Sequence, residues 1–418
     1  MNITNESRQL MSFFVEHECL MPIKQTNKTR TIFKNIYKEI YSGVSYIQNI
    51  KSKMGSLFYK IKIDPINNVS QIPKPKTFSP YDFPSQIRKH IDKYSMSSYT
   101  YSFNLFERDI SIYFLSENVN PEKSIGVYNS YVEYMLVWLY IVNKYASKQC
   151  SPNLNIFVYH TNLLKTLPNS NIEVLDRIHA NTAFTRTCPK KSEIVVFRKE
   201  EWFKVFIHET IHNFGLDFSD MDITNGNNKI LNIFPVNTDV KLYESYTEFW
   251  ARLMNTLFCG YISMNDKTNV EEFLSNTELF INFEYVYSIF QMIKVLNFMG
   301  LSYAMLYDKN INSDKIRKTL YKENTPILAY YILTTILFTN YQDFLLWCDT
   351  NNKSLLQFKK TQVNLGRFCN FIENKYNTNN LLNGIQCVEQ FLLKMTKNKI
   401  KKTDYLLRNL RMTICEFG

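Results

Sequence analysis

The spacing of hydrophobic and polar residues changes twice along the chain. Up to about residue 62 the apolar residues recur at helical spacing, as in "TRTIFKNIYKEIYSGVSYIQNIKSKMGSLF". Between residues 64 and 84 that spacing is broken by Pro65, Pro73, Pro75, Pro80 and Pro84, which mark a linker. Alternation then takes over in "SSYTYSFNLF" and "DISIYFLS", which predict two strands joined by a turn at Glu107–Arg108. A helix over Val127–Tyr145 is expected next, followed by strands at Asn155–His160, Ala180–Thr187 and Ser192–Phe197. The Ala180–Thr187 strand is short and polar, as an edge strand would be. "KEEWFKVFIHETIHNF" reads as a helix stopped by Gly215, and a further helix covers Tyr243–Phe258. From Val270 onward almost everything has helical spacing.

These elements predict an α+β fold in four parts. Residues 1–63 are helical and basic, and residues 64–84 are a Pro-rich linker. Residues 85–262 form an α/β block, and residues 263–418 form a mostly helical subdomain. A chain of 418 residues with 45% hydrophobic content has enough material for a large core. Its net charge of +11 is spread along the sequence except for a run at Lys394–Lys402. With no zinc finger, RNA-binding signature or phosphate-binding glycine loop, that charge reads as a solvated surface. Nucleic acid or another polyanion is the lesser alternative partner. No basic stretch precedes the first apolar residues, so no secretory leader is expected. The most apolar run near the middle, Tyr134–Val142, falls well short of the roughly 20 residues of a membrane span. Eight cysteines without a CxxC pair are expected as free thiols in reducing, cytoplasmic surroundings.

One stretch carries chemistry. In "FIHETIHNFGLDF", His208 and His212 stand four apart on one helix, so both imidazoles can reach one metal ion. Glu209 projects beside them, placed to act on water without ligating. By chance this pattern is expected about 0.005 times in a chain with 6 histidines and 23 glutamates. A catalytic zinc ion needs a third protein ligand and an open position. Position 218, where a third histidine would extend the motif, is Phe218. Asp217 could ligate, but it lies just past the helix stop and better suits a group that holds a histidine from behind or caps the helix. The next helix offers Glu244 and Glu248, again four apart on one face. Trp202 and Trp250 are expected as core residues between the two helices.

In these residues the chain resembles the zincin metallopeptidases, in particular their glutamate-ligand branch, the gluzincins, over roughly residues 98–258. The resemblance implies a small twisted mixed sheet with the motif on an active-site helix, and a zinc-dependent endopeptidase acting on a polypeptide substrate laid along the edge strand. His208 and His212 would be ligands and Glu209 the base. Ala251, a small residue three positions after Glu248, favours Glu248 as the third ligand, with Glu244 then holding a histidine's outer nitrogen. Glu244 as the ligand is the alternative. Thermolysin-like members use a downstream histidine to stabilise the oxyanion, yet no histidine follows His212. A tyrosine or arginine must then serve, with Tyr303, Tyr330, Arg408 and Arg411 as candidates. The stretch "NTAFTRTCPKKSEIVVFRKEEWFKVFIHETIHNFGLDFS" also resembles uncharacterised proteins of large DNA viruses, which raises packaging in a virion. The rival expectation is a non-catalytic zincin-fold structural or virion-associated protein that retains the metal; an intact Glu209 argues against it.

Overall fold

The computed structural model describes residues 3–16, 22–79, 82–118, 122–397 and 404–418. Most of the basic run Lys394–Lys402 lies outside them, as does Cys19. The alternating stretches build the two longest strands. β1 (Ile61–Pro65), β2 (Ser97–Leu105) and β3 (Arg108–Ser116) pair antiparallel. The turn between β2 and β3 falls on Phe106 and Glu107, one residue before the expected place, and both have φ of 59°. That is the left-handed geometry a two-residue hairpin turn requires. β4 (Asn153–Tyr159) and β6 (Lys191–Val196) join in parallel, and β5 (Ala183–Thr185) closes one edge antiparallel to β6. The sheet order is β1-β2-β3-β4-β6-β5.

Helices α1 (Asn5–Glu16), α2 (Asn27–Met54), α3 (Ser85–Tyr94), α4 (Glu122–Asn143) and α5 (Arg177–Ala180) belong to the first half of the chain. α6 (Trp202–Asn213), α7 (Thr224–Ile233), α8 (Leu242–Ile262) and α9 (Val270–Phe298) follow. Most of the described remainder is helical, with a π-helical stretch at Leu328–Leu333. One sheet face, with Ile112, Phe114, Ile156, Val158, Ile194 and Val196, lies in the main core together with residues of α4 and α6. α9 is long and apolar enough to cross a membrane, but 94% of its most apolar window is buried inside the protein.

The other sheet face is covered by the segment expected as a linker. Ile72 and Phe83 are buried there with Ile87, Ile91, Tyr159, Val195 and Phe197. The Glu193 carboxylate accepts from the backbone of Lys76 and Thr77 at 2.7 and 2.8 Å, and Tyr159 donates to the Pro73 carbonyl at 2.7 Å. Regular structure in the segment is limited to the end of β1 and a 3-10 turn at Val69–Gln71, but the apolar residues between the prolines have a face to bury.

A second difference concerns the cysteines. Cys150 and Cys188, 38 residues apart and expected as free thiols, form a disulfide with Cα atoms 4.5 Å apart. Parallel pairing of β4 with β6 sets Asn153 opposite Lys191 and so brings their preceding loops together. Cys259, Cys348, Cys369, Cys387 and Cys415 are free.

Candidate metal centre

α6 enters the core between the sheet and α8, with Phe206, Ile207 and Ile211 at most 1% exposed. Its start is pinned from elsewhere in the chain. Glu201 pairs with buried Lys165 and accepts from the backbone of Met412 and Thr413. Its end is set by Gly215, whose φ of 65° is the left-handed conformation that glycine tolerates. Trp202 and Trp250 are buried core residues.

Three atoms converge where α6 faces α8. The Nε2 atoms of His208 and His212 are 3.1 Å apart, and Glu244 Oε2 lies 3.1 and 3.3 Å from them. Ligand atoms held tetrahedrally at about 2.0–2.1 Å from one ion are separated by roughly 3.3 Å. The group His208, His212 and Glu244 could therefore hold a metal ion.

The outer nitrogens have acid partners too. His208 Nδ1 is 2.9 Å from Glu248 Oε2, and His212 Nδ1 is hydrogen-bonded to Asp217. With Nδ1–H donated outward in each ring, both Nε2 lone pairs point at the same place, a repulsive arrangement that a cation relieves. The charges agree. Four carboxylates, Glu209, Asp217, Glu244 and Glu248, surround two imidazoles, and Lys204 stands among them. Lys204 Nζ lies 2.8 and 3.1 Å from the two Glu248 oxygens. Buried charge of this kind calls for compensation. Burial favours neutral imidazoles, yet the hydrogen bonds from Glu244 and Glu248 outweigh it and raise the His208 pKa. The Asp217 and Glu244 charges do the same for His212.

The two glutamates thus exchange the places that the small Ala251 suggested. Glu248 lies behind His208, and Glu244 sits at the convergence. Lys204 decides this: one turn before His208 on the same helix, it binds the Glu248 carboxylate and holds it away from the Nε2 atoms. Asp217 lies behind a histidine, as its position just past the helix suggested.

A cleft of about 470 Å³ opens over the centre, lined among others by Glu209, Thr185, Thr187, Ser219, Tyr243 and Tyr330. Glu209 is 7% exposed and makes no hydrogen bond or ion pair with the described residues. Burial raises its pKa. Of the four residues considered for the oxyanion, only Tyr330 lines the cleft. Its ring centre lies 6.2 Å from that of His208, and its hydroxyl has no hydrogen-bond partner among the described residues. Burial and the nearby carboxylates keep that hydroxyl protonated. Tyr303 is tied to the Tyr376 carbonyl, Arg408 to Leu167 and Asn169, and Arg411 to Ser7 and Glu416.

Lys204, Ser219 and Thr187 escaped sequence reading. Lys204 carried a signal, since it continues the row of His208 and His212 at the same four-residue step. Ser219 and Thr187 carried none, because their neighbours are set by the tertiary fold.

No family model matches the chain, and no solved structure matches it. It is similar to the uncharacterized protein R210 of Acanthamoeba polyphaga mimivirus, with 26% identity over 229 residues. The match spans 54% of this chain and 53% of that protein, about half of each. The chain thus has a distant relative in a large DNA virus.

Proposed function

We propose that this protein is a zinc-dependent peptidase whose ligands are His208, His212 and Glu244. The observation that carries the reading is the convergence of two Nε2 atoms and one carboxylate oxygen at tetrahedral spacing, with a free carboxylate, Glu209, beside them. Two histidines and one carboxylate also suit ferrous iron, but an unligated glutamate next to the first ligand has its use in hydrolysis. When bound, zinc supplies Lewis acidity toward water and toward a substrate carbonyl.

The protein's own groups do the rest. Glu209 takes a proton from the attacking water and returns it to the leaving amine. Tyr330 donates a hydrogen bond to the carbonyl oxygen as it gains charge. β5, paired on one side only among the described residues, offers its other edge to an extended peptide. The test is metal content and peptidase activity of the wild type and of Glu209→Gln. Zinc in both proteins, with hydrolysis in the wild type alone, is the expected result. A Glu209→Gln variant that cleaves at the wild-type rate contradicts the mechanism, and iron as the bound metal contradicts the reaction class.

A further inference from the structure

A line of hydroxyls leads from His212 to the rim of the cleft. Ser219 Oγ donates to Asp217 Oδ1 at 3.0 Å, and Thr187 Oγ1 lies 2.7 Å from Ser219 Oγ. Because the Ser219 proton is directed at Asp217, the proton of the second bond comes from Thr187. The chain then has one direction: Thr187 to Ser219, Ser219 to Asp217, and the other Asp217 oxygen receiving Nδ1–H of His212. Thr187 and Ser219 both line the cleft.

Thr187 belongs to a segment that is fixed twice over. It lies two residues beyond β5 and directly before Cys188, whose disulfide to Cys150 packs against Gly215 at the end of α6. The Cys188 amide donates to the Asn213 carbonyl at 3.0 Å. The Asn213 side chain, next to His212, donates to Thr185 Oγ1 at 2.8 Å and to Ser192 Oγ at 2.6 Å. The strand edge beside the cleft, the disulfide and the His212 end of α6 are thus held as one unit.

We propose that Thr187 and Ser219 are positioning residues for His212, so that the rim where a peptide would lie also sets the aim of one metal ligand, with the Cys150–Cys188 disulfide as its fastener. The proposal rests on the metal-centre reading above and extends it from His212 to the rim of the cleft. Neither hydroxyl touches the reacting atoms; each acts through the Asp217 carboxylate.

The experiment is chelator competition for Zn²⁺, together with the visible absorption spectrum of the Co²⁺-loaded protein, on full-length variants. Direct removal of a partner behind a ligand costs about 10–100-fold in affinity. Thr187→Val, two bonds further out, is expected to cost about three- to tenfold and to alter the Co²⁺ spectrum. Thr187→Ser is expected to restore both. Should Thr187→Val fail to fold, Ser219→Ala reads the same chain one bond closer. The double variant is expected to lose no more than Ser219→Ala alone, because both interrupt one chain. Cys150→Ser combined with Cys188→Ser is expected to weaken Zn²⁺ in the same direction. A wild type that binds one ion tightly, with Thr187→Val and Ser219→Ala unchanged in affinity and spectrum, overturns the relay alone. A folded wild type that binds no ion overturns the metal centre and the relay together.

Discussion

His208 and His212 aim at the same point but lean on different parts of the protein. Behind His208 stand Glu248 and Lys204, with side chains 1% and 3% exposed, an ion pair sealed between α6 and α8. Behind His212 stands buried Asp217, which accepts from Thr247 of α8 at 3.4 Å and from Ser219, whose hydroxyl continues to Thr187 in the cleft wall. The first support is ionic and enclosed, and breaking such a pair from one side is costly, about 3–5 kcal/mol. The second is a chain of hydrogen bonds, each contributing about 1 kcal/mol net, and its last member lies where a ligand would lie. Both halves of the centre are held by the fold, but only the second is continuous with the rim.

The comparison breaks at once if the converging atoms are not ligands. His212→Ala and Glu244→Ala each remove one of the three proposed ligands and are expected to leave little of the roughly one zinc per chain. Elemental analysis of the purified variants reads this, and full zinc content in Glu244→Ala would mean another third ligand. Next in size, Glu209→Gln is expected to keep the metal and lower hydrolysis by about 10²–10⁴-fold. Steady-state rates on any peptide that the wild type cleaves supply the check.

Glu248→Ala and Asp217→Ala sharpen the contrast. Both should weaken zinc by about 10–100-fold, but only Glu248→Ala leaves a buried charge alone, that of Lys204. Its melting temperature should fall well below that of Asp217→Ala. Equal melting temperatures would show that the two supports are not different in kind.

His160 supplies a histidine with no acid behind it. It is caged by Phe114, Tyr128, Tyr131 and Trp202, its Nε2 has no hydrogen-bond partner among the described residues, and burial pushes its pKa down to about 3. The unfolded value is about 6.5, so the folded protein holds this ring neutral while the unfolded chain takes up a proton. Its contribution to stability is complete above about pH 6.5 and is lost as pH falls toward 3, by at most about 1.4 kcal/mol per pH unit. Thermal melts between pH 7 and 5 should show a smaller slope in His160→Gln than in the wild type. Parallel slopes would mean the ring is charged or exposed.

The legible parts were those encoded in local spacing. Alternation in residues 97–116 and the step from His208 to His212 each fix a face of one element, and the strands and the motif helix follow. Glu244 and Glu248 share a face as well, so periodicity left both open. The choice was made by Lys204 on a different helix. The disulfide depends on parallel pairing of β4 with β6, which no cysteine spacing announces. The segment at 64–84 was read from its prolines, although Ile72, Phe78 and Phe83 between them already implied something to bury against. Tyr330 was one of four candidates until the fold brought it alone to the cleft.

The central claim is that His208, His212 and Glu244 hold one zinc ion while Glu248 stands behind. Chelator competition on the wild type, Glu244→Ala and Glu248→Ala, measured side by side, addresses it most directly. The account predicts about one tightly held zinc per wild-type chain, its loss to a weak chelator in Glu244→Ala, and an intermediate affinity in Glu248→Ala. A folded, metal-free wild type would contradict it, as would a Glu248→Ala variant that releases zinc more readily than Glu244→Ala.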